Sequence, residues 1–357
     1  MANILDYIKE NGNATFQKVK FNEIDNLIFS RLSYLPFENI KIEEKETFKT
    51  IAQKLKDIES EKFIMKMDKE LIELVGKSKR FKDLSVTDYY FSRDDKKEKQ
   101  FVAITIHFET GKIYISYSGT DDTLVGWKED FNLSFMTHIP AQVEALKYIR
   151  KISQKYIDKI HLGGHSKGGN LAVYAGAFCS KKVQDRIVDI TNFDGPGFDK
   201  TVIENDKYKR ILNKVQTYIP QSSIVGRLLE HEEQYIIVKS NQISVLQHDI
   251  FSWAVNGLEL EKADKVTNGS DMLNQTVRNW LKATNPKQRE HFINIMYEII
   301  TKTKAKTFKE FTSELTKNLG IMLKSYKDIS YEDKKEIGKM ILIFFTAVKE
   351  SIMEKVI

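Results

Sequence analysis

Ser166 stands between paired glycines in the stretch GGHSKGG, residues 163–169. An apolar run precedes this stretch and a helical pattern follows it, which predicts a turn between a strand and a helix. A G-x-S-x-G pattern at such a turn is typical of a nucleophile elbow, where a strained backbone lifts the serine hydroxyl above the sheet. Gly164 and Gly168 would remove side chains that collide where strand and helix approach. We interpret Ser166 as a candidate nucleophile for acyl transfer; the alternative is a tight packing turn.

Other glycine-rich sites fit this stretch less well. A phosphate-binding loop requires a lysine where Gly169 stands, and no G-x-G-x-x-G pattern of a dinucleotide-binding loop occurs. The chain also lacks His-Glu-x-x-His and Cys-x-x-Cys patterns. We therefore expect neither a metal nor an organic cofactor.

A serine nucleophile needs a histidine base and an acid that orients it, and hydrolases with this elbow carry them in the order serine, acid, histidine. Four of the seven histidines precede Ser166 in the sequence, which leaves His231, His248 and His291. His248 follows the last predicted strand and would lie in a loop at the carboxyl edge of the sheet. His231 lies in a charged helical segment and His291 in a helical tail. The predicted base is His248; the alternative is a surface or helix-capping histidine.

Asp194 directly follows the strand predicted after that of the serine. The loop after the next strand, residues 220–226, contains no carboxylate. Asp194 is therefore the predicted acid. The alternatives are that Asp194 only caps a turn, or that Asp249 or Glu230 takes its place.

Two backbone groups are candidates for stabilising a developing oxyanion. The N–H of Lys167 follows the nucleophile at the positive end of a predicted helix. A second donor is expected in the loop after an early strand, where Ser118, Gly119 and Thr120 occur. We predict the N–H and hydroxyl of Thr120 as donors, with Gly119 beside them; the alternative is an ordinary turn.

Strand and helix patterns alternate through the middle of the chain, which favours a largely parallel sheet with helices on both faces. We predict a domain over residues 1–265, of which residues 1–95 are a mainly helical lead-in, and a helical C-terminal region over residues 266–357. The predicted strands cover residues 101–108, 113–117, 159–164, 186–193, 215–219 and 235–239, and the predicted helices cover 140–152, 168–178, 199–213, 272–281, 289–300, 308–323 and 331–357.

The 357 residues are 41% apolar and 30% charged, with a net charge of +6 that is spread along the chain. Such a diffuse excess does not favour nucleic-acid binding, which usually concentrates basic residues on one face. Cys179 is the only cysteine and cannot form an internal disulfide, which fits a reducing compartment. The N-terminus has no signal-peptide pattern, and the apolar run at 340–345 is too short to span a bilayer. We expect a cytoplasmic protein.

The stretch YSGT at 117–120, with Trp127, Asp130 and the elbow, resembles the class 3 lipases. Those proteins carry an aromatic-Arg-Gly-Thr loop, a downstream Asp-Trp element and a Gly-His-Ser-Leu-Gly-Gly elbow. A closer resemblance, over residues 22–253, is to an uncharacterised bacterial family of lipase-like α/β-hydrolases, the Mbeg-like proteins. It rests on the stretches LSY at 32–34, FDGPGF at 193–198 and QHDIFSW at 247–253. The resemblance implies the α/β-hydrolase fold.

Three residues depart from the lipase pattern. Ser118 replaces the usual arginine, and Lys167 replaces the leucine after the nucleophile. Ser223 stands where class 3 lipases place the acid, whereas an acid one strand earlier resembles the arrangement of pancreatic-type lipases. This second resemblance is consistent with Asp194.

We therefore expect a serine esterase or lipase-like hydrolase that cleaves a carboxylic ester or thioester of a small molecule or lipid. The alternative is a catalytically weak or inactive binding or regulatory protein on a hydrolase fold. A stripe of apolar residues at helical spacing predicts a core or dimer contact, with peripheral membrane contact as the other interpretation. The stripe consists of Ile341, Phe344, Phe345, Val348 and Ile352.

Overall fold

The computed structural model describes residues 1–121 and 123–353, and all of their side chains except those of residues 308, 309, 312, 352 and 353. Residue 122 of the predicted oxyanion loop and residues 354–357 of the last predicted helix therefore lie outside the described residues. The chain divides into two compact units. The first comprises residues 1–93, 101–119 and 141–267, and the second comprises 94–100, 120–140 and 268–357.

The first unit is built on an eight-stranded sheet in which the strands lie side by side in chain order, β1 to β8. Strands β4 to β8 run parallel, whereas the pairs β1/β2 and β3/β4 are antiparallel. A separate hairpin contains β9 and β10. The strands are β1 Lys45–Thr47, β2 Ser85–Asp94, β3 Lys99–Glu109, β4 Lys112–Tyr117, β5 Lys159–His165, β6 Ile187–Phe193, β7 Val215–Pro220, β8 Tyr235–Val238, β9 Val255–Asn256 and β10 Glu259–Leu260.

Helices precede, connect and follow these strands. The helices are α1 Ile4–Asn11, α2 Glu23–Leu32, α3 Phe48–Leu55, α4 Met67–Lys77, α5 Leu124–Asn132, α6 Pro140–Lys155, α7 Lys167–Phe178, α8 Lys181–Gln184, α9 Lys200–Ile203, α10 Asp206–Lys209, α11 Asn268–Ala283, α12 Pro286–Thr301, α13 Phe308–Ser313, α14 Leu315–Asp328 and α15 Tyr331–Met353.

The predicted fold class is confirmed: a mostly parallel sheet is flanked by helices, as in α/β-hydrolases. Two local differences have physical causes. Residues 85–94, expected within a helical lead-in, form β2, because pairing with β1 supplies hydrogen-bond partners that are distant in sequence. The helix expected over 199–213 is divided into α9 and α10, and Asn205 caps the second by accepting from the Lys207 N–H.

The N-terminal helices pack against the sheet and share its main apolar core. Asn22 begins α2 with a capping box, because its side chain accepts from the Asp25 N–H while the Asp25 carboxylate accepts from the Asn22 N–H. The same carboxylate is buried against the Arg80 guanidinium. Arg31 of α2 is likewise buried and pairs with Asp68, with Nε 2.6 Å from the carboxylate. These paired charges join α2 to α4 and to the segment that follows α4.

The second unit contains α5 and the helices from α11 onward. Ile295 and Ile299 of α12 and Ile337 of α15 form a small apolar core. Lys128 of α5 is buried, and its ammonium donates to Asn294 at 2.5 Å and pairs with Glu98 at 3.2 Å. These contacts explain why residues 94–100 and 120–140 group with the C-terminal helices. The predicted boundary near residue 265 remains a prediction.

Within residues 1–121 and 123–353, no helix is both long and apolar enough to cross a membrane.

Candidate active site

Ser166 occupies the turn between β5 and α7, as the sequence pattern predicts. Its φ of 57° and ψ of −134° lie in a region that residues with a side chain rarely adopt. Two backbone bonds hold this conformation. The Ser166 N–H donates to the Phe193 carbonyl at 2.9 Å, and the Ser166 carbonyl accepts from the Gly169 N–H at 2.9 Å. The strained turn is therefore bonded to the neighbouring strand β6.

The flanking glycines are required by close backbone contacts. A Cβ at Gly164 would lie 2.3 Å from the carbonyl carbon of Gly168. A Cβ at Gly168 would lie 2.1 Å from the Tyr117 carbonyl oxygen. Since both distances are far inside van der Waals contact, only glycine lets α7 begin this close to β4 and β5.

Asp194 and His248, far apart in sequence, are hydrogen-bonded in the structure. Asp194 directly follows β6, with a φ of 52°, and its side chain is buried. Its Oδ2 lies 2.6 Å from Nδ1 of His248. Because a carboxylate only accepts, Nδ1 carries the proton, and a neutral imidazole then presents an unprotonated Nε2.

The second carboxylate oxygen of Asp194 has its own donors. Oδ1 accepts from the Ser223 hydroxyl at 2.5 Å and from the Gly226 N–H at 3.1 Å. A Cβ at Gly226 would lie only 2.3 Å from that oxygen. The loop after β7 therefore orients the acid that follows β6.

His248 ends a 3-10 turn, Ser244–His248, in the segment after β8. The preceding residue, Gln247, anchors this turn. Its carbonyl accepts from the Trp253 indole N–H at 2.8 Å, and its side-chain oxygen accepts from the Ser222 N–H at 2.7 Å. The imidazole of His248 remains 26% exposed, so it can be reached by solvent and by a small substrate.

The candidate nucleophile and the candidate base are not directly bonded. In the part of the chain that the structure describes, no hydrogen bond joins the Ser166 hydroxyl to His248. The ring of His165, the residue before the serine, has its centroid 4.5 Å from that of His248. Contacts between a catalytic serine and its base are often long in the absence of substrate and tighten on binding.

The other two candidate histidines are paired elsewhere. The buried His231 bonds through Nδ1 to Glu233 at 3.0 Å. His291, in the second unit, pairs with Asp333 at 3.0 Å.

The alternative acids have local structural roles. Asp249 caps the 3-10 turn after His248 by accepting from the Phe251 N–H at 2.9 Å, and burial raises the pKa of its carboxyl. Glu230 forms a backbone bridge to Phe198, with its N–H 3.1 Å from the Phe198 carbonyl.

The predicted oxyanion residues fall in both units. Lys167 is the first residue of α7 and is buried. Thr120 belongs to the second unit, and its hydroxyl donates to Asp130 at 2.5 Å, which leaves the N–H as its available donor. A Cβ at Gly119 would lie 3.1 Å from the Ser166 Cβ and 2.0 Å from the Tyr34 hydroxyl oxygen. The oxyanion roles of these residues remain predictions.

Among residues 1–121 and 123–353, no group of three or more His, Cys, Asp or Glu side chains is arranged to hold a metal ion.

The sequence pattern of the Mbeg1-like family matches residues 75–298, more than half of the chain. The chain belongs to the Mbeg1-like family. The resemblance inferred from the elbow and the FDGPGF and QHDIFSW stretches is thereby confirmed. The matched region contains Ser166, Asp194 and His248, whereas residues 22–74, with the LSY stretch, lie outside it.

Solved lipases are similar to this Mbeg1-like chain at low identity. M37 lipase is 17% identical, with a TM-score of 0.40 over 59% of this chain and 71% of the lipase. A deletion mutant of the Rhizomucor miehei lipase propeptide complex is 13% identical, with a TM-score of 0.42 over 66% of this chain and 78% of that one. The native complex has 13% identity and a TM-score of 0.36, covering 50% and 70%. No curated protein matches the chain.

Sequence reasoning missed several contacts at the site of this Mbeg1-like protein. Ser223 was noted only as a departure from the lipase pattern, yet it is bonded to Asp194. The order of triad residues excludes His165, which precedes the serine, yet its ring bonds to the His248 backbone. Its position inside the elbow motif was the available signal, since a residue next to the nucleophile must lie near the base.

Proposed function

We propose that this Mbeg1-like protein is a serine acyl hydrolase, esterase- or lipase-like, that cleaves a carboxylic ester or thioester. The proposal is carried by the 2.6 Å bond between His248 Nδ1 and the buried Asp194 carboxylate, next to a serine held at a φ of 57°. A neutral imidazole whose Nδ1–H is bonded to a carboxylate presents Nε2 as the acceptor for the proton of a serine hydroxyl.

Acylation uses all three side chains. The Ser166 oxygen attacks the carbonyl carbon of the substrate while its proton moves to Nε2 of His248. Asp194 stabilises the resulting imidazolium through the Nδ1–H bond. When the tetrahedral intermediate collapses, His248 returns the proton to the leaving oxygen or sulfur, which departs as an alcohol or thiol. The acyl group remains on Ser166.

Deacylation repeats these steps with water. His248 takes a proton from the water as its oxygen attacks the acyl carbon, and the proton then passes to the Ser166 oxygen as the acid is released. In both acylation and deacylation the oxyanion of the tetrahedral intermediate needs hydrogen-bond donors. We propose the N–H groups of Lys167 and Thr120, beside Gly119, as these donors. The α7 dipole adds a favourable field at Lys167.

Covalent labelling with a fluorophosphonate probe tests the proposal. We expect stoichiometric attachment at Ser166, identified by mass spectrometry, that is lost in Ser166→Ala. Hydrolysis of p-nitrophenyl esters of graded chain length would then show whether the acyl pocket prefers short or lipid-like chains. His248→Ala is the control for catalysis by the assigned base.

The competing function is that of a binding or regulatory protein with a catalytically inactive hydrolase fold. The absence of a hydrogen bond between Ser166 and His248 in the described residues favours this alternative. A folded protein that neither labels at Ser166 nor hydrolyses any ester or thioester of the series would support it and overturn the proposed activity.

The second unit supports a proposal of peripheral membrane contact. Ile337, Met340 and Ala347 form the buried face of α15. Ile341, Phe344 and Phe345 of the same helix are 45%, 39% and 65% exposed, so these members of the predicted apolar stripe are not core. Leu342 beside them is 67% exposed. Exposed lysines also lie on α15 (Lys335, Lys339 and Lys349). The four lysines of α15 are balanced by Glu332, Asp333, Glu336 and Glu350, so the exposed apolar side chains carry this proposal.

Sedimentation with liposomes tests this contact. We expect binding to vesicles that contain anionic lipid, and weaker binding of the double variant Leu342→Glu and Phe345→Glu. A homodimer is the other partner expected from the sequence, and a concentration-dependent dimer in sedimentation velocity without vesicle binding would favour it. Nucleic acid is not proposed as a partner.

We propose the cytoplasm as the location. This is supported by the single cysteine, Cys179, which is a buried free thiol. Burial raises the pKa of this thiol to about 12 and keeps it unreactive. Fractionation of cells that produce the tagged protein would test this.

A further inference from the structure

His165 connects the nucleophile elbow to the segment that carries the base. It immediately precedes Ser166, and its side chain is buried. Its Nε2 lies 2.8 Å from the backbone carbonyl oxygen of His248. Because a carbonyl only accepts, Nε2 of His165 is the protonated nitrogen. The bond therefore spans from β5 to the end of the turn after β8.

Tyr34 fixes the other side of this imidazole. Its hydroxyl lies 2.9 Å from the His165 carbonyl oxygen and 3.2 Å from His165 Nδ1. With the proton of a neutral ring on Nε2, Nδ1 carries a lone pair, so the Tyr34 hydroxyl faces two acceptors. The single hydroxyl proton is shared between these acceptors, and the His248 carbonyl, which only accepts, selects the Nε2–H tautomer of His165.

Gly119 makes room for the Tyr34 hydroxyl. A Cβ at this position would lie 2.0 Å from the Tyr34 oxygen and 2.7 Å from the His165 carbonyl oxygen. The guanidinium of Arg31, which pairs with Asp68, stacks over the Tyr34 ring at 4.3 Å from its centroid. Tyr34 is thus held from both sides.

The surroundings keep His165 neutral. Burial, and after it the positive charges of His248 and Arg31, hold the pKa of His165 well below its ordinary value. Neutrality matters because the two imidazole rings are 4.5 Å apart. Two adjacent cations would repel each other when His248 takes up the serine proton during acylation.

We propose that His165 is a positioning residue. Its Nε2–H fixes the backbone of His248, while Asp194 fixes the imidazole ring of His248, so that this ring stays oriented towards Ser166. This inference rests on the proposed hydrolase function. Two anchors on one histidine restrict both its backbone and its χ angles, which lowers the entropy cost of reaching the reactive geometry. Neither Tyr34 nor His165 takes part in the chemical steps.

Replacing His165 by Phe keeps a planar ring but removes the donor, whereas Gln keeps an N–H at a similar distance along the side chain. For His165→Phe we expect the rate of fluorophosphonate labelling and kcat for an ester to fall about 10–100-fold, with KM nearly unchanged. His165→Gln should recover most of this loss. Tyr34→Phe removes only the hydroxyl that contacts His165, so the labelling rate and kcat should fall a few-fold.

His161→Phe is the matched control, because His161 is another buried histidine of β5 and bonds to Asp189 instead. It should label at the wild-type rate. Equal melting temperatures by circular dichroism would show that the variants are folded. Wild-type labelling by His165→Phe, or equal losses in the Phe and Gln variants, would overturn the inference.

A second measurement separates this inference from the proposed function. If the wild-type protein does not label at all, the hydrolase proposal fails, and NMR of the His248 Nδ1–H proton then decides the positioning role. Loss of that bonded resonance in His165→Phe, with retention in His165→Gln, would support the inference. An unchanged resonance in His165→Phe would overturn it.

Discussion

Two of the imidazole–carboxylate pairs in the first unit have nearly the same geometry in very different places. In one, Nδ1 of His248 lies 2.6 Å from Asp194 Oδ2. In the other, Nδ1 of His161 lies 2.8 Å from Asp189 Oδ2. The first pair joins segments that follow β8 and β6, whereas the second lies within the neighbouring strands β5 and β6.

What differs is the access to the second ring nitrogen. The His161 ring is packed against the rings of Phe21 and Phe108, with centroids 5.4 and 5.2 Å away. Its Nε2 is buried and has no hydrogen-bond partner among the described residues. The His248 ring is partly exposed beside the elbow. An aspartate partner makes a histidine a better base. The base can act on a substrate only where its second ring nitrogen is accessible.

The largest expected effect on activity is at Ser166, the candidate nucleophile beside the His248–Asp194 pair. Ser166→Ala should abolish labelling and reduce ester hydrolysis by about 10³–10⁶-fold. Ser180→Ala, which changes an exposed serine beyond the end of α7, is the control and should behave as wild type. Residual labelling in Ser166→Ala would show that another residue is the nucleophile.

Neutralising the two aspartates compares the pairs directly. Asp194→Asn should lower kcat by about 10³–10⁴-fold, because an amide N–H facing Nδ1 forces the proton onto Nε2 and removes the base. Asp189→Asn should leave kcat within about twofold, since no step uses His161. Steady-state kinetics on one ester measures both. Comparable losses in the two variants would mean that the pairs are not functionally distinct.

The Ser223 hydroxyl, which donates to Asp194, is a further contact of the His248–Asp194 pair. Ser223→Ala removes a hydrogen bond to a buried carboxylate and should lower kcat about tenfold. The neighbouring Ser222, whose hydroxyl bonds to Thr267 at the surface, provides the control Ser222→Ala. If both alanine variants keep the wild-type kcat, the Ser223 hydroxyl does not help to orient the acid.

The smallest effect on activity is expected at a third pair, His231 and Glu233, which lies apart from the elbow. Burial would raise the pKa of Glu233, but the bonds from His231 and Thr217 prevail and lower the pKa to about 2. This contribution to the unfolding free energy is present above pH 4.5 and is lost as the pH falls towards 2.

Glu233→Gln should therefore lower the unfolding free energy at pH 7 by on the order of 1–3 kcal/mol. The difference from wild type should shrink below pH 4.5, and urea unfolding at pH 3 to 7 would measure it. The labelling rate at pH 7 should not change. A difference that is independent of pH would contradict the assigned ion pair.

Strands with strong local patterns were predictable. The run at 159–164 is apolar and bounded by turn residues, and it matches β5 within one residue. β2 was not recognised, because its residues have no clear alternation and its state is decided by pairing with residues 45–47. The association of α5 with the C-terminal helices was equally hidden, since it depends on buried contacts such as that of Lys128 with Asn294.

The candidate site was predictable where a residue has a motif or an order in the chain. Ser166 follows from its glycines, and the choice of Asp194 and His248 followed from the positions of predicted strands. Their mutual bond is present in the structure. The donor Ser223 could not be found this way, because a side-chain contact between two loops depends on loop conformations that no local pattern specifies.

The order of the strands in the sheet has a consequence for how the protein matures. Since β4 to β8 add side by side in chain order, a growing polypeptide can extend the sheet at one edge as each strand emerges. Ser166 and Asp194 are then in place before His248, which follows β8, the last strand of this sheet. In the proposed mechanism, a nascent chain that ends before residue 244 lacks the base, so the capacity for hydrolysis would be acquired last during biosynthesis.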